Sequence, residues 1–517
     1  MPIRMSGMVS GLDTESIIKE LMAAQSQKKT KIENKITKHE WKTEKWQALN
    51  KKLYDFYTGS LSKTRLQGSF QTKKVSSADE TKVKATANGD AVIGTHQVRV
   101  DRLASSQVVT GSKLGSVKND AGETVAVSGS TKLSQLGVGK GTTIKIGSGS
   151  KNISLDVTDE TTVNDFLTAC KDAGLNANYD TAQKRFFLTA EDSGADYAFS
   201  LTATSGDALQ KLGLGEVTYK KNDDGTVTYN DGKEVSGFSL KAASDSVVEL
   251  DGAMLTSNDN TVVANGLTLE LNAVTKGTAN EYIAINVTKD NQAVYDMVKS
   301  FIKDYNDLLK ELNDSYYAHS SYGYEPLTSE QREAMNDEDI EKWEKKIKDS
   351  LLRRDSTVNS LMSAMKMTMA GTVDYNGQKY SLSSLGITTT DYKEKGKLHI
   401  SGDAEDDTMA GKEDKLMAAI EEDPDMVMTI ITDLASKLYT TFGDKMKSTT
   451  NSSALTVYED KKMKTDLTKY KKELTTMEDK LSAMEDRYYK QFTAMEKALS
   501  KLNSQSGSIT SLFGGSM

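Results

Sequence analysis

The sequence predicts a multidomain α+β protein in which the N- and C-terminal helices pair as a coiled-coil leg and two β-rich domains are inserted between them. Three observations predict it. Near the C-terminus, Met463, Leu467, Tyr470, Leu474, Met477, Leu481, Met484 and Tyr488 follow in unbroken steps of four and three, the spacing of a heptad seam with apolar a and d positions. Near the N-terminus a second long segment carries a sparse helical stripe. Between the two, the apolar period drops to two and Gly, Asn and Asp turns multiply, the signature of half-buried strands.

The C-terminal frame runs on through Gln491, Met495, Ala498 and Leu502, with Lys, Glu and Asp filling the positions between. At 1.5 Å per residue a helix of this length reaches about 60 Å. Such a rod overshoots a small globular core and needs a partner helix. Leu467, Tyr470, Leu474, Met477, Leu481, Met484, Tyr488, Met495 and Leu502 are therefore the expected contacts along the leg. The methionines among them are adaptable fillers, suited to a surface that repacks.

At the other end, Asp13 is placed to cap a helix, Glu15 falls in its first turn, and Leu12 can staple onto Ile17. Ile18, Leu21, Ile32, Ile36, Trp46, Leu49, Leu53 and Tyr57 then recur, and nothing breaks the helix before Gly59 or Gly68. Between Lys28 and Lys52 nine lysines stand against three glutamates. That face is either solvated or complementary to acidic positions of the C-terminal coil. The stripe from Lys28 to Lys45 buries little for a lone helix, whose stability comes mainly from packing. The helices of the leg are thus expected to be incompletely ordered in the free chain and to gain order on docking.

From about Val75, Val83–Ala87 and His96–Val100 alternate as strands, followed by Thr143–Ile146 and Ile153–Val157. A helix carrying Val163, Phe166, Leu167 and Cys170 on one face starts at Thr162 and stops at Gly174. A strand pair from Leu175 to Tyr179 and Arg185 to Leu188 follows, then a short helix ending at Leu212–Leu214. Two Asp-Gly turns around Thr226–Tyr229 predict an exposed hairpin from Lys221 to Val235. Strands resume from Ser246 to Val287. Helical periodicity returns at Asn291, with Val294, Val298, Phe301, Tyr305, Leu308 and Leu312 on one seam. Thr328 and Gln331 offer a capping box, and Asn336 or Asp337 begins a helix with Ile340, Trp343, Ile347 and Leu351 inward. After a loop from Tyr380 to Ile400, a helix with Leu416 and Ile420 stops before Pro424, and the final rod follows. The expected division is 1–70 as leg helix and flexible start, 71–112 with 243–290 as one β-rich domain, and 113–242 as an outer β-rich insert. Residues 291–430 make a helical domain, and 431–517 the C-terminal leg and tail.

The 517 residues allow roughly three domains of ordinary size. A net charge of -8 gives no general attraction to nucleic acid or anionic membrane. The single Cys170 excludes an internal disulfide and any multi-cysteine metal site. On its helix face it reads as a small buried hydrophobe. No apolar run reaches membrane-spanning length, and Met1 to Ile18 lacks the features of a secretory signal. The chain is expected to stay in the cytoplasm or to leave by a route that reads no such signal. His39, His96, His319 and His399 are scattered, and no H-E-x-x-H or G-x-S-x-G occurs. Gly137–Thr142 fails as a phosphate loop because Gly141 follows Lys140 where a hydroxyl residue is needed. Neither a catalytic residue nor a metal or cofactor is expected.

Several stretches together resemble one family, the flagellar filament cap proteins, also called flagellar hook-associated protein 2 (FliD type). Ser6-Gly7-Met8-Val9-Ser10-Gly11-Leu12-Asp13-Thr14-Glu15-Ser16-Ile17-Ile18 is similar to the family's opening. Phe301-Ile302-Lys303-Asp304-Tyr305-Asn306-Asp307-Leu308 is similar to the start of its C-terminal region. Pro326-Leu327-Thr328, Trp343–Lys346, Leu351–Asp355, Tyr380–Thr388 and Glu421–Pro424 are similar to later parts of that region. Residues 150–215 resemble a small motif of flagellin-related axial proteins, whereas 113–242 carries the least family signal. The acidic stretch from Ser401 to about Lys412 departs from the family pattern.

The resemblance implies a non-catalytic protein that an export chaperone holds in the cytoplasm and that leaves unfolded through the flagellar export channel. It implies a homo-oligomeric ring at the extracellular filament tip, beneath which exported flagellin folds and inserts. Leu12, Ile17, Ile18 and Leu21 at one end, and Ile509, Leu512 and Phe513 at the other, are the candidate docking residues on the filament or hook end. A second reading is an adhesin whose Lys221–Val235 stretch binds host mucin or glycan. A third is another axial component at the hook-filament junction.

Overall fold

A computed structural model describes Gly11 and residues 13–232 and 237–513, with the side chains of 511–513 left out of the description. The chain divides into two compact units, one of residues up to Phe70 together with Asn291 onward, the other Gln71–Asp290. Helices α1 (Thr14–Thr58) and α2 (Ser60–Thr64) open the first unit. In the second lie α3 (Val163–Asp172) and α4 (Ala208–Lys211). The first unit resumes with α5 (Asn291–Tyr316), α6 (Ser329–Glu333), α7 (Asp337–Ser350) and α8 (Ser356–Met369). It ends with α9 (Lys415–Glu422), α10 (Pro424–Lys445) and α11 (Asp460–Phe513).

Helix α1 starts where Asp13 accepts a hydrogen bond from the Ser16 amide at 3.0 Å, with Glu15 in the first turn. It ends where Gly59 donates its amide to the Asp55 carbonyl at 2.9 Å. The capping box predicted at Thr328 and Gln331 forms and starts α6, and Asn336 caps α7. Within α7 Ile347 is buried while Ile340 and Trp343 are only half-buried, so the helix lies at the edge of its unit.

One helix was not foreseen. Pro424 does stop α9, but it also occupies the first turn of α10. There its missing N–H is no loss, and Asp423 caps by accepting from the Met426 amide at 3.0 Å. Val427, Ile430, Ile431, Leu434, Leu438 and Phe442 make α10 a central core helix. They join Leu53, Phe56, Phe301, Tyr305, Leu361 and Met365 in one cluster, so the base of α1 and the helical block share a core. The stretch expected as a loop from Tyr380 to Ile400 includes the short antiparallel pairing of Ile387–Thr388 with His399–Ile400.

The second unit holds two apolar cores. One draws on Val83, Val98, Val100, Val248, Leu267 and Ile285. It lies between a five-stranded antiparallel sheet ordered 73–77, 283–289, 94–102, 246–250, 253–257 and a three-stranded sheet of 261–264, 267–271 and 83–87. The other runs from Val109 to Ala243 and packs α3 against the Leu175–Asp180 and Arg185–Ala190 pair, in the register Leu188 opposite Ala177. Cys170 is fully buried there, and burial pushes its thiol up to about 12. Gly137 closes its turn at φ 92°, the left-handed region that favours glycine. Tyr219–Lys221 and Val227–Tyr229 pair as a hairpin, but not a free-standing one. Val227 and Tyr229 are buried, and the Tyr229 hydroxyl donates to Gln107 Oε1 at 3.1 Å. The end of the expected hairpin, Lys233 to Val235, lies outside the described residues.

Candidate functional site

The longest helices, α1 with 45 residues and α11 with 54, lie against each other. Their direction follows from the contacts. Trp46 stacks on Tyr458 with centroids 5.4 Å apart, His39 meets the edge of Tyr470 at 5.5 Å, and Lys29 pairs with Glu478 at 3.1 Å. As α1 numbers fall α11 numbers rise, so the pair is antiparallel. At its base Asn50 fixes the approach to α11, accepting from the Val457 amide at 2.9 Å and donating to the Leu455 carbonyl at 3.1 Å.

The heptad frame faces inward, at graded depth. Leu481 is buried at 8 % exposure. Leu467, Tyr470, Leu474, Met477, Met484, Tyr488 and Met495 are half-buried, as a two-helix contact allows. Leu502 is 58 % exposed and Ile509 55 %. From Ser500 to Thr510 every α11 side chain is exposed. The side chains of Leu512 and Phe513 lie outside the described residues. On α1, Ile18 is buried, Ile17 half-buried and Leu21 exposed, while Leu12 and the Ser6–Ser10 part of the opening motif lie outside the described residues.

The basic face of α1 finds its partners mostly away from α11. Lys38 pairs with Glu325 at 2.6 Å, Lys42 with Asp355 at 3.2 Å and Lys52 with Glu311 at 2.8 Å. Lys45 donates to the carbonyls of Lys348 at 3.3 Å and Asp349 at 2.8 Å, at the C-terminal end of α7. Burial holds its ammonium below the usual lysine range. Lys29 alone among these lysines reaches an α11 carboxylate; its hydrogen bond to Glu478 raises its pKa. A second ion pair across the two helices, Lys471 with Glu40 at 2.9 Å, runs with the opposite polarity. The basic run is therefore no simple complement to an acidic coil.

Two polar features inside the unit escaped sequence reasoning. His39 sits between the long helices with Nδ1 buried and unpartnered, and burial depresses its pKa. His399 is fully buried, with Nε2 at 2.7 Å from Glu394 and Nδ1 against Asp406. It ties the Ser401–Lys412 acidic stretch to the strand before it. Asp406 is lowered to about 2, its burial outweighed by hydrogen bonds from Thr408 and His399. No group of His, Cys, Asp and Glu suited to a metal ion occurs among the described residues, and none of their helices is long and apolar enough to cross a membrane.

A family model described as flagellar hook-associated protein 2 C-terminus matches residues 243–504, and one for its N-terminus matches 10–107. The chain belongs to the flagellar hook-associated protein 2 family. Neither match reaches residues 108–242. The hook-associated protein 2 of Halalkalibacterium halodurans is 26% identical over 99% of this chain and 100% of that protein. The Escherichia coli K12 protein is 25% identical over 98% and 97%, and the A-type protein of Pseudomonas aeruginosa 28% over 97% and 95%. The fold is that of the D1-D2-D3 domains of the Escherichia coli flagellar cap protein FliD, with a TM-score of 0.50 and 21% identity across 77% of this chain and 95% of that one.

Proposed function

We propose that this family member is a non-catalytic assembly protein that caps the distal end of a bacterial flagellar filament as a homo-oligomeric ring, with the α1–α11 pair as the part that docks on the filament. The observation that carries the reading is the far end of α11. Leu502 and Ile509 continue the heptad frame at a spacing of seven, yet both are exposed. A seam that keeps its period where its side chains stand exposed is suited to an intermolecular partner. The thin burial along α1 from Thr14 to Lys45 fits the same role, since a weakly packed helix gains order from whatever it docks on. Ile17 and Leu21, which stay accessible, and Ile509 with Leu512 and Phe513 are the docking residues in this reading, while Ile18 is buried.

Before assembly the chain is held by an export chaperone and threaded outward without disulfides to reduce; outside, it promotes folding and insertion of flagellin at the tip and so motility. Deleting the gene and scoring filament length with secreted, unpolymerised flagellin tests the role. Short or absent filaments with flagellin in the medium are expected, and normal filaments would refute it. Hydrogen exchange on free and tip-bound protein tests the docking surface. Equal protection of residues 15–50 in both states removes the helix pair from that role.

A further inference from the structure

The helical block carries a half-open pocket of about 510 Å³, within the span of about 300–1,000 Å³ common for small-ligand sites. Two of the side chains that line it are donors left without an acceptor. Tyr305 of α5 is only 1 % exposed, yet its hydroxyl makes no hydrogen bond with any described residue. Burial alone raises its pKa. Lys366 of α8 forms neither an ion pair nor a hydrogen bond among the described residues. Burial, reinforced by the neighbouring Lys395, holds its ammonium below the usual lysine range. On α5, by contrast, Lys299 meets Asp403 and Lys303 meets Asp307, each at 2.7 Å.

The Tyr305 hydroxyl and the Lys366 ammonium belong to side chains that line this pocket, and neither has an acceptor among the described residues, so a ligand can take both without displacing a protein partner. Both are suited to the same group. The remaining wall is largely apolar, with Met369, Leu382, Ile387 and Leu398 prominent in it. We propose that this pocket binds a carboxylate carried on an apolar body, the Lys366 ammonium and the Tyr305 hydroxyl each donating to a carboxylate oxygen while those four side chains enclose the aliphatic part. Two donors match the two oxygens of a carboxylate. A phosphate dianion would bring an extra charge and a third oxygen against an apolar wall. Because the ligand bridges α5, α8 and the 382–398 segment, its binding stabilises the helical block by mass action.

The same chemistry is offered by a free branched-chain acid and by the C-terminus of an apolar peptide. The test uses the full-length chain with methyl-labelled methionine, read at Met369 by NMR. Its probes are 3-methylbutanoate, N-acetyl-glycyl-leucine and the neutral 3-methylbutanamide. Saturable shifts are expected with at least one acid, and at least about tenfold weaker binding of the amide, the loss expected for one charge-assisted hydrogen bond. Tighter binding of the peptide assigns the source to a chain terminus; tighter binding of the small acid assigns it to a free metabolite. Lys366→Met should weaken the acid by about tenfold or more, and Tyr305→Phe by a smaller factor. Tyr305→Phe removes only an unpartnered hydroxyl, so its thermal midpoint stays unchanged or rises, and it carries the test if Lys366→Met fails to fold. No saturable shift with either acid, equal binding of acid and amide, or undiminished binding by both variants overturns the proposal.

Discussion

From Trp46 to Phe56, α1 buries Trp46, Leu49, Leu53 and Phe56 at steps of three and four in the core shared with α5, α8 and α10. From Thr14 to Lys45, more than twice that length, it buries only Thr14, Ile18 and Ile36. The same helix thus has a base held by a three-dimensional core and a far part held by one neighbour along one stripe. Burying an aliphatic side chain contributes about 1.5–3 kcal/mol, so the base supplies most of the stabilisation while the far part supplies length. Regions with few buried apolar contacts open at low free energy, which suits a segment that must exchange one partner for another.

The sharpest way to break this contrast is to empty a core position at the base. Leu53 is fully buried, and Leu53→Ala should cost about 2–5 kcal/mol through lost burial and a residual cavity. Urea unfolding followed at Trp46 is the measurement. The matching change in the far part, Leu481→Ala, should cost only about 1–2 kcal/mol, because a half-open seam collapses or hydrates around the loss. Its effect should show as faster amide exchange in residues 464–499 with little change in the midpoint of the core. Equal losses at the two sites would mean that the pair unfolds as one unit with the core.

Acid should separate the regions next. Burial depresses the pKa of His39, so the unfolded or opened helix binds the proton more readily than the packed one. Stability at this site is therefore complete above the ordinary histidine value and is lost as pH falls through it toward the depressed folded value. His96, in the other unit, has the opposite sign. Its Nδ1 lies 2.6 Å from Asp251 and its Nε2 2.9 Å from the Val92 carbonyl, and the Asp251 hydrogen bond leads in raising its pKa. That contribution is present below the ordinary value and is lost as pH rises through the raised one. Exchange corrected for intrinsic rates should accelerate around residues 36–43 as pH falls below about 6.5, and His39→Gln should flatten the profile.

Much of this contrast was legible in the sequence, and the failures have physical causes. The heptad frame from Met463 to Leu502 and the thin stripe of α1 identified the two rods, because period is a local property of the chain. The Asp13 and Thr328 caps were legible for the same reason. Helix α10 was missed because Pro424 was weighed only as a breaker, although Asp423-Pro424 is equally a cap followed by the first helical residue. The partners of the lysines on α1 were not legible, since Glu325, Asp355 and Glu311 come close only after the helical block has folded. His399 gave no signal either. Glu394 and Asp406 flank it at short range, but nothing in their spacing states that the ring between them is wholly buried.

The smallest expected effect concerns the one ion pair by which the basic face of α1 reaches α11. Lys29 and Glu478 keep side-chain exposures of 33% and 46%, so solvent screens their attraction and two long side chains lose freedom in forming it. Lys29 also lies 3.5 Å from Glu33 on its own helix, and removing Glu478 leaves that contact in place. A double-mutant cycle of Lys29→Ala and Glu478→Ala should therefore give a coupling of only about 0.2–1 kcal/mol, shrinking as salt is raised. A coupling well above that range, or one indifferent to salt, would mean that the far part of the pair is drier than its stripe of side chains implies. The distinction between a core-held base and a seam-held end would then have to move further along the helix.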